Sequence, residues 1–450
     1  MTRDELSIGM SSNFQRVLIF WPMMVLLFVA GCGDFGSEPR SAEEPDQALA
    51  QAALLPAAEQ QSSLLAGGSL ADVAERLDAV AISRSSSLQD VRAARAALNA
   101  RRYDGYPQLR PTASAPLRGV GAPAVGLGLE QTVWDGGRHR AGLSGAELDL
   151  ERARLISWRE RNKKVFDGLK AYLDIARYEA RLAKYSALGR ELKAIATRLE
   201  ARREGGVADR GEVLRMASAR QEVERRVLSD TSSLRQAQAD FARALPVADQ
   251  APLLSDLEVA AGQCRRDWPG GETPADALAR IELSRAEASE IGVRAQRFPR
   301  LVLSGGSTYS RGGWSEPGIG LRLDASDLLG LGRRGNLDAA TASTRSAEAS
   351  YRLQLEDTQS ELLWLDANYQ LLRADIAALQ SLSAENSETL SLFNEQLDAG
   401  SIKLTDGIGF YRERTDTLIA LIDAHADILL NCLRSSQHRG LLAAFGASDE

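Results

Sequence analysis

Apolar residues along this chain change period abruptly, and the changes mark its elements. Val125, Leu127, Leu129 and Val133 fall on alternate positions with Gln131 in phase, while Gly126, Gly128, Glu130 and Thr132 take the other face. A two-residue period with one apolar face predicts a strand at 124–133, and a partner strand at 109–118 precedes it across Gly119-Val120-Gly121-Ala122-Pro123. A second hairpin is predicted from strands 301–310 and 318–324. After each hairpin the period becomes helical and stays so, from Gly137 to Gly206 and from Gly332 to Gly400. At 1.5 Å per residue each such helix is on the order of 100 Å long, too long for a compact domain. Leu355, Leu362, Tyr369 and Ile376 fall seven apart, as do Leu365, Leu372 and Leu379 three positions later, which is a coiled-coil seam. Return helices are predicted at about 212–245 and 406–433, with apolar positions at helical spacing.

These elements occur twice in the same order. Tyr106-Pro107-Gln108-Leu109 is matched by Phe298-Pro299-Arg300-Leu301, Gly137-Arg138 by Gly332-Arg333, and Gly206 with Glu212 by Gly400 with Asp406. Ser69-Leu70-Ala71-Asp72 and Thr273-Pro274-Ala275-Asp276 read as helix starts of capping-box type. Their wider offset makes the first helix of the second repeat a turn or more shorter. The chain therefore reads as a tandem duplication, 69–245 and 273–440. A linker at 246–272 carries Pro246, Pro252, Pro269, Gly262, Gly270 and Gly271, and 441–450 is a tail.

Composition narrows the class. The stretches from Pro123 to Pro246 and beyond Pro317 lack proline, the strongest helix breaker. A net charge of −7 argues against a nucleic-acid surface. Three scattered histidines argue against a metal site, and three cysteines exclude a disulfide framework. No nucleophile elbow, phosphate loop or Cys-x-x-Cys is present, so the chain reads as a non-enzyme needing no cofactor. At the N-terminus, Arg16 precedes a short apolar run at 17–29, and Val29-Ala30-Gly31-Cys32 resembles the bacterial lipobox. This predicts a signal peptide at 1–31, lipidation at Cys32 and a tether over 32–68; the alternative is an ordinary cleaved signal. Gly33, in place of an aspartate, points to the outer membrane under the sorting rule for lipoproteins.

Four strands cannot close a barrel, and an open edge cannot sit in lipid. If the hairpins enter a membrane, at least two copies must pool them, with the long helices hanging below as a conduit. Over 69–440 the order strand pair, long helix, glycine turn and return helix, given twice, resembles the TolC family of outer-membrane efflux proteins. The pieces that carry the likeness are Tyr106-Pro107-Gln108-Leu109, Gln131-Thr132-Val133-Trp134-Asp135-Gly136-Gly137, the segment 206–214 and the segment 400–406. The resemblance implies a mainly α fold with a small β part. Three copies would share a twelve-stranded outer-membrane barrel over a periplasmic coiled-coil tunnel. It further implies a homotrimer set in outer-membrane lipid that docks on a periplasmic adaptor and an inner-membrane pump or ABC transporter. Its role would be passive export of small toxic molecules, or of proteins by type I secretion.

The resemblance also assigns residues. Acidic groups just past the periplasmic turns narrow the tunnel mouth in the family, which points to Asp406 first and to Glu212 second; the alternative for each is an acidic cap at a helix start. Gly409 stands where the family often has a second aspartate, and Ile402 followed by Lys403 where it often has a basic residue. The adaptor-contact turns map to Gly206 and Val207 and to Gly400, Ser401, Ile402 and Lys403. Cys264 and Cys432 fall in the family's equatorial belt, where an oxidising compartment permits either a disulfide or two free thiols. The competing functions are a periplasmic adaptor, which would carry extra domains flanking one hairpin, and a structural coiled-coil lipoprotein, which would have no β-hairpins.

Overall fold

The computed structural model describes residues 65, 69–114, 123–206, 209–246, 257–264, 271–310, 312–325, 332–398 and 404–443. In chain order these form α1 (Ser69–Ser83), α2 (Ser87–Tyr103), β1 (Gln108–Ser114), β2 (Ala124–Trp134), α3 (Arg138–Glu204), α4 (Arg210–Ala244) and α5 (Leu257–Gln263). The second half gives α6 (Pro274–Ala295), β3 (Arg300–Ser310), β4 (Gly313–Trp314), β5 (Gly318–Asp324), α7 (Arg333–Asp398) and α8 (Gly407–His438), with a 3-10 turn at Leu404–Asp406 before α8. The long helices have 67 and 66 residues, so each is about 100 Å long.

The two halves repeat one plan with local differences. The run Ser83-Arg84-Ser85-Ser86-Ser87 splits the first helix of the first half. Ser83 Oγ donates to the Val80 carbonyl at 2.9 Å, and the Ser85 and Ser87 hydroxyls meet at 2.6 Å. Serine side chains competing for backbone and neighbouring partners in this way break a helix. The second half instead has one helix of 22 residues, opened by a full capping box between Thr273 and Asp276. The difference between the halves is thus larger than a turn. Within the expected linker, Leu257 and Ala260 are buried and anchor α5.

The core follows α3. Leu155, Val165, Leu169 and Leu173 on its middle pack with Val73 and Leu77 of α1, Ile281 of α6 and Leu429 and Leu433 of α8. Arg161 is fully buried there, its guanidinium held by both Asp78 oxygens at 3.0 and 2.7 Å, so the burial is compensated. Residues 441–443, expected as tail, dock on the same helix. Asn162 Oδ1 accepts from the backbone N–H groups of Leu442 and Ala443, and Trp158 Nε1 donates to the Ala443 carbonyl. A second cluster nearer the far end joins Leu188, Leu192 and Leu199 of α3 to Met216 and Val223 of α4 and Ile419 of α8.

The α7 seam is only half covered. Leu365 and Tyr369 are buried, Leu362, Leu372, Ile376 and Leu379 are half-buried, and Leu355 is exposed. Leu353, Trp364, Leu371 and Leu382 are exposed as well. Among the described residues, α3 packs against α1, α2 and α4 of its own half and against α6 and α8 of the other, whereas the main contacts of α7 are with α6 and α8 of its own half. One helix of the duplicated pair therefore lacks the flank that its counterpart has.

Candidate membrane wall and tunnel mouth

The strands form one antiparallel sheet in the order β1-β2-β3-β5, with β4 a two-residue addition to the end of β3. Directly opposed residues share a face, so the register sorts every side chain. Leu109 faces Leu129, Leu129 faces Gly305, and Gly305 faces Ile319; Leu303 joins Gln131 to Leu321, and Leu301 pairs with Leu323. With Pro111, Ala113, Val125 and Leu127 these make one face almost wholly apolar. The other face carries Arg110, Thr112, Glu130, Thr132, Ser304, Thr308, Arg322 and Asp324, interleaved with glycines. Much of the apolar face stands open to solvent: Leu321 is 63% exposed and Leu129 44%. An exposed apolar area this continuous is a contact surface.

Aromatic rings close both ends of that face. Tyr309 contacts Trp314 at one end, and Trp134 contacts Phe298 at the other. Val125 lies opposite Tyr309. The nine steps from Val125 to Trp134 span about 30 Å along the strand, which tilts to about the 25 Å band of an outer-membrane barrel. Among the described residues no helix is long and apolar enough to cross a membrane.

On the polar face, Arg110 and Arg322 both pair with Glu130, at 3.1 and 3.0 Å, and Arg300 pairs with Asp324 at 3.0 Å. This belt crosses all four long strands. No local pattern in the sequence reveals it, because Arg110, Glu130 and Arg300 are each the lone charge of their strand, and only the register joins them to one another and to Arg322 and Asp324 of β5.

The helices all leave from one end of the sheet, and the passage from β2 into α3 shows how. Gly136 and Gly137 take positive φ of 71° and 96°, a region that disfavours side chains. Asp135 then accepts from the N–H groups of Gly137 and His139, at 2.9 and 2.6 Å, which satisfies the first turn. A Cβ on Gly136 would lie 2.7 Å from the Phe298 side chain, and Arg138 donates to the carbonyls of Gln296 and Phe298. The segment singled out as the helix entry is thus a joint between the two halves.

At the other end of the helices lie the tips. Gly206 closes α3 with φ of 74°, and Asp209 caps α4 by accepting from the Glu212 N–H at 2.8 Å. Glu212 is only 8% exposed. Asp406 ends the 3-10 turn, is exposed, and makes no capping hydrogen bond from its side chain. The two acidic residues expected at the mouth are therefore placed differently, one buried and one free toward solvent. Val207, Gly400, Ser401, Ile402 and Lys403 lie outside the described residues, as does Cys32.

Just above the tips, ion pairs tie α8 to the first half. Arg226 of α4 contacts Asp416 of α8 at 2.6 Å, and Arg414 of α8 contacts Glu191 of α3 at 2.8 Å. The Arg226 pKa is pushed up by its hydrogen bond to the Tyr185 hydroxyl, with Glu222 and Asp416 adding to the effect and burial opposing it. Higher up, Asp423 of α8 accepts from Arg177 at 2.7 Å and from Arg181 at 2.8 Å, while Arg181 also grips Asp230 of α4. Burial alone would lower the Arg181 pKa, but the bonds and charges of Asp230 and Asp423 push it up. In the same belt Cys264, the residue after α5, is disulfide-bonded to Cys432 of α8, with Cα atoms 6.3 Å apart. Among the described residues no group of three or more His, Cys, Asp or Glu is placed to hold a metal ion.

No family model and no curated protein sequence matches this chain. Solved structures do. The outer-membrane channel OprN superposes with a TM-score of 0.70 at 19% identity, covering 91% of this chain and 98% of its own. The outer membrane protein VceC of Vibrio cholerae gives 0.69 at 18%, over 83% and 96%. The CmeC outer membrane channel of Campylobacter jejuni gives 0.68 at 12%, over 92% and 95%. The chain has the fold of TolC-family channels across most of its length: a mainly helical tandem repeat with a small antiparallel sheet.

Proposed function

We propose that this protein is an outer-membrane exit channel, a passive conduit formed by three copies. The observation that carries the reading is the four-stranded wall, apolar on one face, polar on the other and unpaired at both edges, set on helices of about 100 Å. Such a wall is stable in a bilayer only when its edges are joined to other strands. Twelve strands from three copies make a lumen wide enough to conduct, and the bare flank of α7 supplies the matching helical contact. The fold shared with OprN, VceC and CmeC supports the same reading.

Within it, lipid at Cys32 anchors the chain to the outer membrane and most of its length lies in the periplasm. The tips, with Gly206 and Val207 on one hairpin and Gly400, Ser401, Ile402 and Lys403 on the other, meet a periplasmic adaptor bound to an inner-membrane pump or ABC transporter. The cargo is a small molecule or a type I secretion substrate, and no catalysis is involved. Asp406 serves as the gate: three exposed carboxylates around one axis repel one another and attract cations. The burial of Glu212 favours a packing role in the tip instead.

The test is conductance of the detergent-extracted oligomer in planar bilayers, with its size measured by cross-linking. A trimer of small conductance that rises in Asp406→Ala is expected. A monomer or dimer without conductance would overturn the reading.

A further inference from the structure

The charged belt on the polar face ends at the two free edges of the sheet in opposite charges, Arg110 on β1 and Asp324 on β5. Resting on the channel reading above, we propose that β5 of one copy pairs antiparallel with β1 of the next, and that Asp324 meets the next copy's Arg110 at that seam. The three belts then close into one continuous ring around the lumen.

The duplication supplies the register. Within the chain, the second strand of the first hairpin, β2, pairs with the first strand of the second, β3. The junction between copies is the same step taken once more, from β5 to the next β1. Tyr106-Pro107 and Phe298-Pro299 make Leu109 equivalent to Leu301, and their hairpin partners Leu129 and Leu323 are equivalent in turn. Leu129 faces Gly305, whose counterpart is Ala113. Leu323 therefore faces Ala113 of the next copy. Asp324 faces Thr112, with Arg110 diagonally adjacent on the same face, at a distance long side chains bridge.

The physics of the sheet excludes two of the near alternatives. A slip of one residue would turn the apolar face of one hairpin inward. A slip that set Leu323 against Leu109 would put Arg322 directly opposite Arg110, like charge on like. The intermediate register, Leu323 against Pro111, still sets Asp324 against Arg110. Both edges are also ready for a partner, since every residue of β1 and all but the last of β5 are exposed.

Two measurements on the full-length oligomer test the seam. Thr112→Cys combined with Asp324→Cys, the directly opposed pair in this register, oxidised in membranes, should give a covalent ladder of two and three chains on a non-reducing denaturing gel, with neither single variant doing so. Arg110→Asp and Asp324→Arg should each lower the temperature at which the oligomer dissociates, and the double reversal should lower it by less than the two losses added together, the remainder coming from Glu130 and Arg300, which then face like charges within the chain. Arg300→Gln controls for the pair that Asp324 makes within its own chain. An intact trimer with no 112–324 adduct, or a double reversal no better than the sum of its singles, would overturn the seam. Absence of any trimer in the unmodified protein would instead overturn the channel reading beneath it.

Discussion

Leu129 offers the sharpest test of the two-faced wall. It lies four residues from Val125, which faces Tyr309 at one aromatic end, and five from Trp134 at the other, so it sits at mid-height on the apolar face. An arginine at the lipid midplane of a barrel costs about 2–4 kcal/mol. At 1.4 kcal/mol per tenfold, Leu129→Arg should lower the membrane-assembled population by roughly 30- to 700-fold per copy. Ser304 pairs with Glu130 one position along, on the opposite face. Ser304→Arg therefore adds the same side chain to the polar face beside a carboxylate, and should leave assembly unchanged. The assay is the fraction of heat-modifiable oligomer in isolated membranes, followed against urea. Equal losses from both substitutions, or loss from neither, would refute the assignment of faces.

Four further outcomes follow from the helices. Asp423→Ala removes the carboxylate that joins two partly buried guanidinium groups, leaving Arg177 with Asp427 and Arg181 with Asp230, and should destabilise the protein by about 1.5–3 kcal/mol, whereas Asp427→Ala, which removes one more exposed contact, should cost less than about 1 kcal/mol; chemical denaturation with the reverse order would be inconsistent with the geometry. Glu222 has its pKa lowered to about 2 by hydrogen bonds from Arg225 and then Arg226, against 4.5 unperturbed. A depressed carboxylate stabilises above the unfolded value, so its contribution is complete above pH 4.5 and lost as pH falls from there toward 2. Protease sensitivity of the tip should rise across that window, and less steeply in Glu222→Gln. A methyl group on Gly407 would run into the Phe393 ring, so Gly407→Ala should cost about 1–3 kcal/mol by overpacking, while Gly409→Ala, with nothing near it, should be neutral or stabilising in thermal melts. The Cys264–Cys432 bridge spans 168 residues, a loop whose closure is worth about 5 kcal/mol at most. Faster migration of the non-reduced chain on a denaturing gel should disappear in Cys432→Ser.

The strands and long helices were legible in the sequence because their signals are local. Alternation in 124–133 needs only neighbours, and the long helices are bounded by glycines with no proline between. The break at Ser83-Arg84-Ser85-Ser86-Ser87 is local too, but serine is tolerated in helices often enough that composition alone does not reveal it. Helix α5 was hidden because seven residues give too short a window for a period, and its Leu257 and Ala260 are fixed by tertiary packing. The ion pairs were out of reach for another reason. Arg177 and Asp423, Arg226 and Asp416, and Glu130 and Arg322 lie far apart in the chain, and each is an ordinary surface charge until the fold brings its partner alongside.

The seam of α7 shows what a duplicated sequence conceals. Its heptads read as complete as any coiled-coil helix, yet in one chain most of them stay half-covered while the equivalent helix α3 is enclosed. The first repeat finds the second beside it in the same chain; the second has no such neighbour. Leu353, Trp364, Leu371 and Leu382 on α7 and Leu214 and Leu228 on α4 are left exposed. The two flanks differ from each other, so pairing them is a head-to-tail contact, which must close into a ring or grow without end. The sheet requires the same closure, because β1 and β5 are likewise unlike edges of one wall. On the channel reading, apolar flank and open sheet edge are both covered by one kind of neighbour, a further copy of the chain, so a single closed ring satisfies the two surfaces together.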